Sequence, residues 1–211
     1  MAPPAPPRAP TAVPADAGAG RGILSHVPFK ANEVTSLPAP MFHALGYLHA
    51  TIAMFLGSTL VLRRKFKPQL VLEDIEKHKV TAMVVVPVML SRLLDAVEKI
   101  DKKPDLSSLK IVFVSGSQLG AELASRALKD LGPVIYNMYG STEIAFATIA
   151  GPEDLQRNAA TVGPVVKGVK VKILDDNGNE VSQAKSAGSS WATPSPSRAT
   201  PVAATSRSST V

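Results

Sequence analysis

The chain has 211 residues, enough for one domain with a sizeable core and marginal for two. It carries 23 Lys and Arg against 17 Asp and Glu, a net charge of +6, and its basic blocks are short: Arg63-Arg64-Lys65 and Lys102-Lys103. Blocks of that length read as solvated surface, so no nucleic-acid partner is expected. The absence of cysteine excludes a disulfide framework, a thiol nucleophile and a cysteine-ligated metal.

Met1 to Gly20 is Ala, Pro and Gly with two charges, Arg8 and Asp16. It offers too little apolar area to offset its ordering entropy and is expected to be disordered. It also lacks the apolar core of a signal peptide. The longest apolar run, Ala50 to Leu62, is broken by Thr51, Gly57, Ser58 and Thr59. That is short of the roughly 20 residues a membrane span needs. No transmembrane segment is expected, and a cytoplasmic location is.

From Val34 the pattern alternates. Val34–Leu37 reads as a short strand, Phe42–Phe55 as a helix ended by Gly57, and Ser58–Leu62 as a second strand. Pro68 opens a helix over Gln69–His78, with Leu70, Leu72 and Ile75 as its inward stripe. Ala82–Val86 is a continuous apolar strand of the kind covered on both faces. A helix follows over Val88–Ile100, with Leu90, Leu93, Leu94 and Val97 inward. Lys110–Val114, Gly120–Leu131 and Val134–Met138 then read as strand, helix and strand. This period predicts an α/β fold with a largely parallel sheet flanked by helices. Beyond Val162, Val169–Leu174 alternates apolar and charged residues. Asn177-Gly178 is a hairpin signal before Val181, so a C-terminal β-hairpin is expected.

Tyr136-Asn137-Met138-Tyr139-Gly140-Ser141-Thr142-Glu143 carries the chemistry. It brings aromatic rings, hydroxyls and a carboxylate to one strand end. An aromatic can stack on a base, a hydroxyl can bond a phosphate, and a carboxylate can hold Mg²⁺. The same residues also fit a plain strand, turn and helix, with Ser141 or Thr142 as cap and Glu143 in the first turn.

Tyr139-Gly140-Ser141-Thr142-Glu143 resembles the Tyr-Gly-x-Thr-Glu motif of the adenylate-forming (AMP-binding) enzymes, and within them the fatty acyl-CoA ligases. Three further segments agree in order. Pro40-Met41-Phe42-His43-Ala44-Leu45-Gly46 resembles the family's Pro-x-Phe-His-x-x-Gly. Val114-Ser115-Gly116-Ser117-Gln118-Leu119 resembles its strand and Gly-rich loop, and Thr161-Val162-Gly163-Pro164-Val165-Val166-Lys167-Gly168 its Val-Gly-x-Pro turn. The resemblance runs from about Arg21 to Val181 and implies part of an N-terminal AMP-binding domain.

That resemblance implies the following roles. Tyr139 would stack on adenine, with Gly116 and Ser117 at its other side and Asn137, Met138 and Gly140 completing the nucleotide contacts. Thr142 would bond the α-phosphate of ATP or AMP, and Glu143 would hold Mg²⁺. His43 would stand at the entrance for the fatty acid and coenzyme A; its residue-level alternative is a cap for the following helix. His26, His49 and His78 form no metal-ligand spacing and read as surface or satisfied core residues.

The family's phosphate loop is expected before Arg21 and its ribose-binding Thr-Gly-Asp after Val181. Neither they nor the lysine-bearing C-terminal domain is found in the 211 residues. Two readings follow: a truncated acyl-CoA synthetase, inactive alone, or a non-catalytic adenine- or acyl-binding module. Residues 182–211 are expected to be a disordered tail, out of frame from about Ala184. With suitable synonymous codons and one base restored, that stretch can be reread as the family's Gly-Glu-Val-Gly strand, aromatic loop and Gly-Tyr-Thr turn.

Overall fold

The structure, a computed structural model, describes residues 17–141, 146–167, 169 and 171. A first helix, α1 (Ala17–His26), is followed by strand β1 (Val34–Ser36) and helix α2 (Ala44–Phe55). Strand β2 (Thr59–Val61) leads to α3 (Pro68–His78), β3 (Ala82–Val85) and α4 (Pro87–Lys99). Then come β4 (Ile111–Val114), α5 (Ala121–Leu131), β5 (Ile135–Tyr139), β6 (Thr148–Ala150) and α6 (Pro152–Arg157).

The six strands form one sheet in the order β2-β1-β3-β4-β5-β6. The first five pair in parallel and β6 pairs antiparallel to β5, with Tyr139 opposite Thr148. The expected α/β architecture is therefore observed. Alternate residues of the central strands feed two cores. Met83, Val85, Val112, Val114 and Ile135 pack under Leu72 and Ile75 of α3, Leu90 and Leu94 of α4, and Ala124 of α5. On the opposite face Val84, Ile111 and Phe113 meet Ile23 from α1 and Ile52 from α2. Burial on both faces explains why Ala82–Val85 and Ile111–Val114 are continuously apolar.

The chain order across the sheet reverses once. From β1 it steps outward to β2 through α2 on one face, then runs β3, β4, β5 with α4 and α5 on the other. That reversal separates the connections leaving the C-terminal ends of β1 and β3. In open α/β sheets this is where ligands bind.

Several expectations are corrected. Ala17–Gly20, expected to be disordered, belong to the first turns of α1. That helix approaches its neighbour closely: a Cβ on Gly22 would lie 2.5 Å from the ring of Phe146. The inward stripe of α3 is Val71, Leu72 and Ile75 rather than Leu70, which is half-buried. The stripe includes Asp74, which is buried because Arg63 reaches it with two hydrogen bonds of 2.6 Å. The fourth inward position of α4 is Ala96, with Val97 only partly buried. α1, β6 and α6 were not anticipated, although Gly151-Pro152-Glu153-Asp154 carries the signal for α6: proline at a helix start and acidic residues in its first turn. The expected Val169–Leu174 strand and the hairpin near Asn177 fall chiefly or wholly outside the described residues, as do Met1–Asp16 and residues 182–211.

Candidate active site

Three loops leave the C-terminal edge of the sheet with motif residues on them. After β1, Leu37 to His43 forms a tight turn pinned to the sheet by Ala39 N–H, which donates to Val84 O at 3.3 Å. His43 N–H donates to Pro40 O at 3.1 Å, and His43 takes the N-cap position of α2 with extended backbone. Its side chain makes no capping hydrogen bond, so the imidazole is not used to close the helix. The ring is exposed and stands beside that of Phe42, with centroids 4.5 Å apart. This leaves His43 free on the β1 side of the sheet's reversal point, a placement that sequence reasoning alone could not assign.

Gly46 closes the same motif for a steric reason. A Cβ there would lie 2.2 Å from Pro40 O and 3.0 Å from Ala39 O. Only glycine lets α2 lie against the turn that carries His43.

After β4, Ser115 is buried and its hydroxyl donates to Met138 O at 3.0 Å, tying this loop to β5. Gly116 has φ +96°, the left-handed region open to glycine, and Ser117 beside it is exposed. After β5, Tyr139 is 46% exposed at the sheet edge, whereas Asn137, two residues back on the same face, is 6% exposed. Met138 points to the other face and joins the core beneath α1 and α2. The structure thus brings Gly116, Ser117, Asn137, Tyr139 and Gly140 to one corner, with Met138 beneath it. His43 emerges three strands away, a separation of about 14 Å at the ordinary strand spacing. Thr142 and Glu143 lie outside the described residues. Among the described residues no group of three His, Cys, Asp or Glu could hold a metal ion.

The Val-Gly-x-Pro turn supports this corner from outside. Thr148 Oγ1 donates to Val162 O at 2.6 Å, Ile149 N–H to Pro164 O at 3.2 Å and Val166 N–H to Ala147 O at 3.0 Å. Gly163 has φ +81°, and its Cβ would lie 2.3 Å from Ala150 N, so this segment packs directly on β6. β6 in turn pairs with Tyr139.

The family model described as "AMP-binding enzyme" matches residues 17–192. The chain belongs to the AMP-binding enzyme family. It is 31% identical over 167 residues to 4-coumarate–CoA ligase-like 9 of Arabidopsis thaliana, covering 78% of this chain and 29% of that protein. It is 33% identical over 146 residues to the medium-chain fatty-acid–CoA ligase of Escherichia coli, covering 68% and 25%. Among solved structures, the amide bond synthetase McbA of Marinactinospora thermotolerans superposes with a TM-score of 0.68 at 29% identity, over 77% of this chain and 33% of that one. The chain therefore spans about a third or less of the length of the relatives it matches. Tyr139 is exposed at this corner, beside the exposed Gly116-Ser117 loop.

One histidine differs from expectation. His49 of α2 is buried, and its Nδ1–H donates to Leu45 O at 2.9 Å. That hydrogen bond fixes the tautomer and leaves Nε2 as a bare acceptor, with no partner among the described residues. The ring packs between Phe113 and Phe29, with centroids 4.3 and 5.9 Å away. Burial lowers its pKa from 6.5 to about 4. It is a core histidine, only half satisfied.

No described helix is long and apolar enough to cross a membrane.

Proposed function

We propose that these 211 residues are the central part of a fatty acyl-CoA ligase. Its parent reaction joins a fatty acid to the α-phosphate of ATP and then passes the acyl group to coenzyme A. The observation that carries this reading is the shared sheet edge: Tyr139 and the Gly116-Ser117 loop at one corner, and an uncommitted His43 at the reversal point. Tyr139 stacks on adenine, while Gly116 and Ser117 allow close backbone approach and Asn137, Met138 and Gly140 shape the base's surroundings. Thr142 bonds the α-phosphate. Glu143 would hold Mg²⁺, and the ion when bound would supply positive charge against the phosphate oxygens. His43 faces the entrance for the fatty acid and the thiol. A cytoplasmic location accompanies this reading.

Tested alone, the 211-residue chain is expected to be inactive. The backbone amides of the family's phosphate loop, its ribose carboxylate and its lysine would stabilise charge on the transferring group, and none is found in this sequence. ATP–pyrophosphate exchange across fatty acids of different length should stay at background. Fatty-acid-dependent exchange that disappears in Glu143→Ala would overturn this.

The exposed aromatic corner also favours a second reading, a non-catalytic module that keeps adenine or acyl binding. Titration with a fluorescent ATP analogue separates the two, because saturable micromolar binding lost in Tyr139→Ala supports the module.

The tail belongs to the same proposal. Residues from about Ala184 are read as out-of-frame translation, so one base restored near codon 184 should open the family's downstream strand and turn. The family match to residue 192 runs eight residues past Ala184. Sequencing the coding DNA decides between a shifted frame and a genuine continuation.

A further inference from the structure

Among the described helices only α2 carries no Lys, Arg, Asp or Glu, and none occurs between Glu33 and Arg63. The other long helices turn charges to solvent: Glu73 and Glu76 on α3, Arg92 and Glu98 on α4, Glu122 and Lys129 on α5. One side of α2 is packed, through Gly46, His49, Ala50, Ile52 and Ala53. Its other side presents Tyr47, Met54 and Phe55, which are 69%, 64% and 88% exposed, and Phe42 just before the helix is 85% exposed. A helix that is apolar all round belongs in an interior.

The size of this face matters. At roughly 150–250 Å² for a whole aromatic side chain, these four residues uncover about 600 Å² in each copy. That is the upper end of what soluble monomers leave bare. Pressed against its own copy, the face removes about 1,200 Å² from water, the lower end of the range for specific interfaces.

Its pattern selects the occupant. Tyr47 lies one turn before Thr51 and Phe55 one turn after it, so the stripe reads the same in both directions. A two-fold contact needs a self-complementary patch of this kind, in which one residue meets a second and the second meets the first. A different partner needs no such palindrome. Thr51 at the centre is small, and its hydroxyl donates to Tyr47 O at 2.9 Å. Burying it therefore leaves no hydroxyl unpaired. With no charge on the helix, two copies of a chain of net charge +6 meet there without like-charge contact.

We infer that the α2 face seats a second copy of this chain, in an antiparallel two-fold pair that crosses at Thr51. Tyr47 of each copy packs on Phe55 of the other, and Met54 fills the space beside the crossing. Nucleotide binding and turnover play no part in this pairing, so the ligase reading stands or falls separately.

Sedimentation velocity of the 211-residue chain at tens of micromolar should give twice the chain mass of 22.1 kDa. Tyr47→Glu and Phe55→Lys should each sediment as monomers, with association weakened at least about a hundredfold, because each change acts twice in a two-fold pair. Both positions are exposed, so the variants should keep the wild-type circular dichroism. Mixed together they should recombine, since opposite charges then meet at one contact and the native rings at the other. Thr51→Cys tests the crossing with both rings in place, in a chain that has no other cysteine. Helices packed 8–10 Å apart bring facing Cα atoms to about 5 Å, within the span of a disulfide. Mild oxidation should cross-link this variant, and Lys129→Cys on exposed α5 far more slowly. A monomeric wild type overturns the proposal: the face is then covered by this chain's own residues or kept for a segment of the longer relatives. Aggregates that persist in both charged variants overturn it as well, because another surface then drives association. Failure of the two variants to recombine, or of Thr51→Cys to cross-link, overturns the antiparallel pair.

Discussion

Replacing Gly46 with alanine is expected to destabilise the fold by about 3 kcal/mol, the upper end of what overpacking costs. Intrinsic propensity argues the other way: alanine in a helix interior is favoured over glycine by about 1 kcal/mol. The clash wins because its partner is backbone. The new Cβ would sit 2.2 Å from Pro40 O and 2.7 Å from Pro40 C. Pro40 O is also the acceptor for His43 N–H, and the residue before it, Ala39, is bonded to Val84 O. No rotamer change relieves such a contact; either α2 lifts from the sheet or the turn tears from β3. Both displace His43. Gly132→Ala is a purely conformational comparison: nothing lies within 4 Å of its Cβ, but φ +83° with ψ −168° is a region essentially restricted to glycine and costs about 1–3 kcal/mol. Urea unfolding should show Gly46→Ala well below wild type. A Gly46→Ala midpoint equal to wild type would show that the turn yields freely, and the steric account would be wrong.

The same residue shows what was legible in the sequence. Periodicity found Phe42–Phe55 as a helix, and the resemblance singled out Gly46, but neither says why glycine is there. The reason is a close approach between the first turn of a helix and a carbonyl six residues earlier, which no propensity encodes. The strands were easier. Ala82–Val85 and Ile111–Val114 are buried on both faces, and burial of that kind writes itself as an unbroken apolar run. α1 was not read from the sequence at all, because its start, Ala17-Gly18-Ala19-Gly20, is glycine-rich and helix-averse. It is held by tertiary packing of Ile23 and by close contact with Phe146, a residue more than a hundred positions away. The candidate site was legible through its motifs and not through its geometry. Sequence brought Tyr139, Gly116 and His43 forward as separate pieces. The strand order β2-β1-β3-β4-β5, with its single reversal, places them along one edge.

Acidification should destabilise this domain through His49 in a range where most proteins are still stable. The imidazole is fully buried, and burial lowers its pKa from 6.5 to about 4, with the Leu45 carbonyl opposing that shift. Phe29 and Phe113 flank the ring, and among the described residues no carboxylate is hydrogen-bonded to it. The sign follows from proton binding. Between pH 6.5 and about 4 the unfolded chain takes up a proton that the folded chain refuses, so unfolding gains free energy as pH falls. The contribution of His49 is full above pH 6.5 and is lost progressively down to about pH 4. A shift of that size corresponds to a loss of about 3 kcal/mol over the interval, a large share of an ordinary domain's stability. Protonation is costly because, among the described residues, Nε2 has no acceptor to meet the new N–H. Carboxylates elsewhere titrate in the same range, so the decisive quantity is the difference between wild type and His49→Leu. The variant forgoes the Nδ1–H bond to Leu45 O but has no buried base to protonate. Urea unfolding at pH 7 and pH 4.5 should show the wild type losing over 2 kcal/mol more than His49→Leu between the two pH values. Parallel losses in the two proteins would mean that His49 accepts its proton without leaving the core, and the buried-base account would fail.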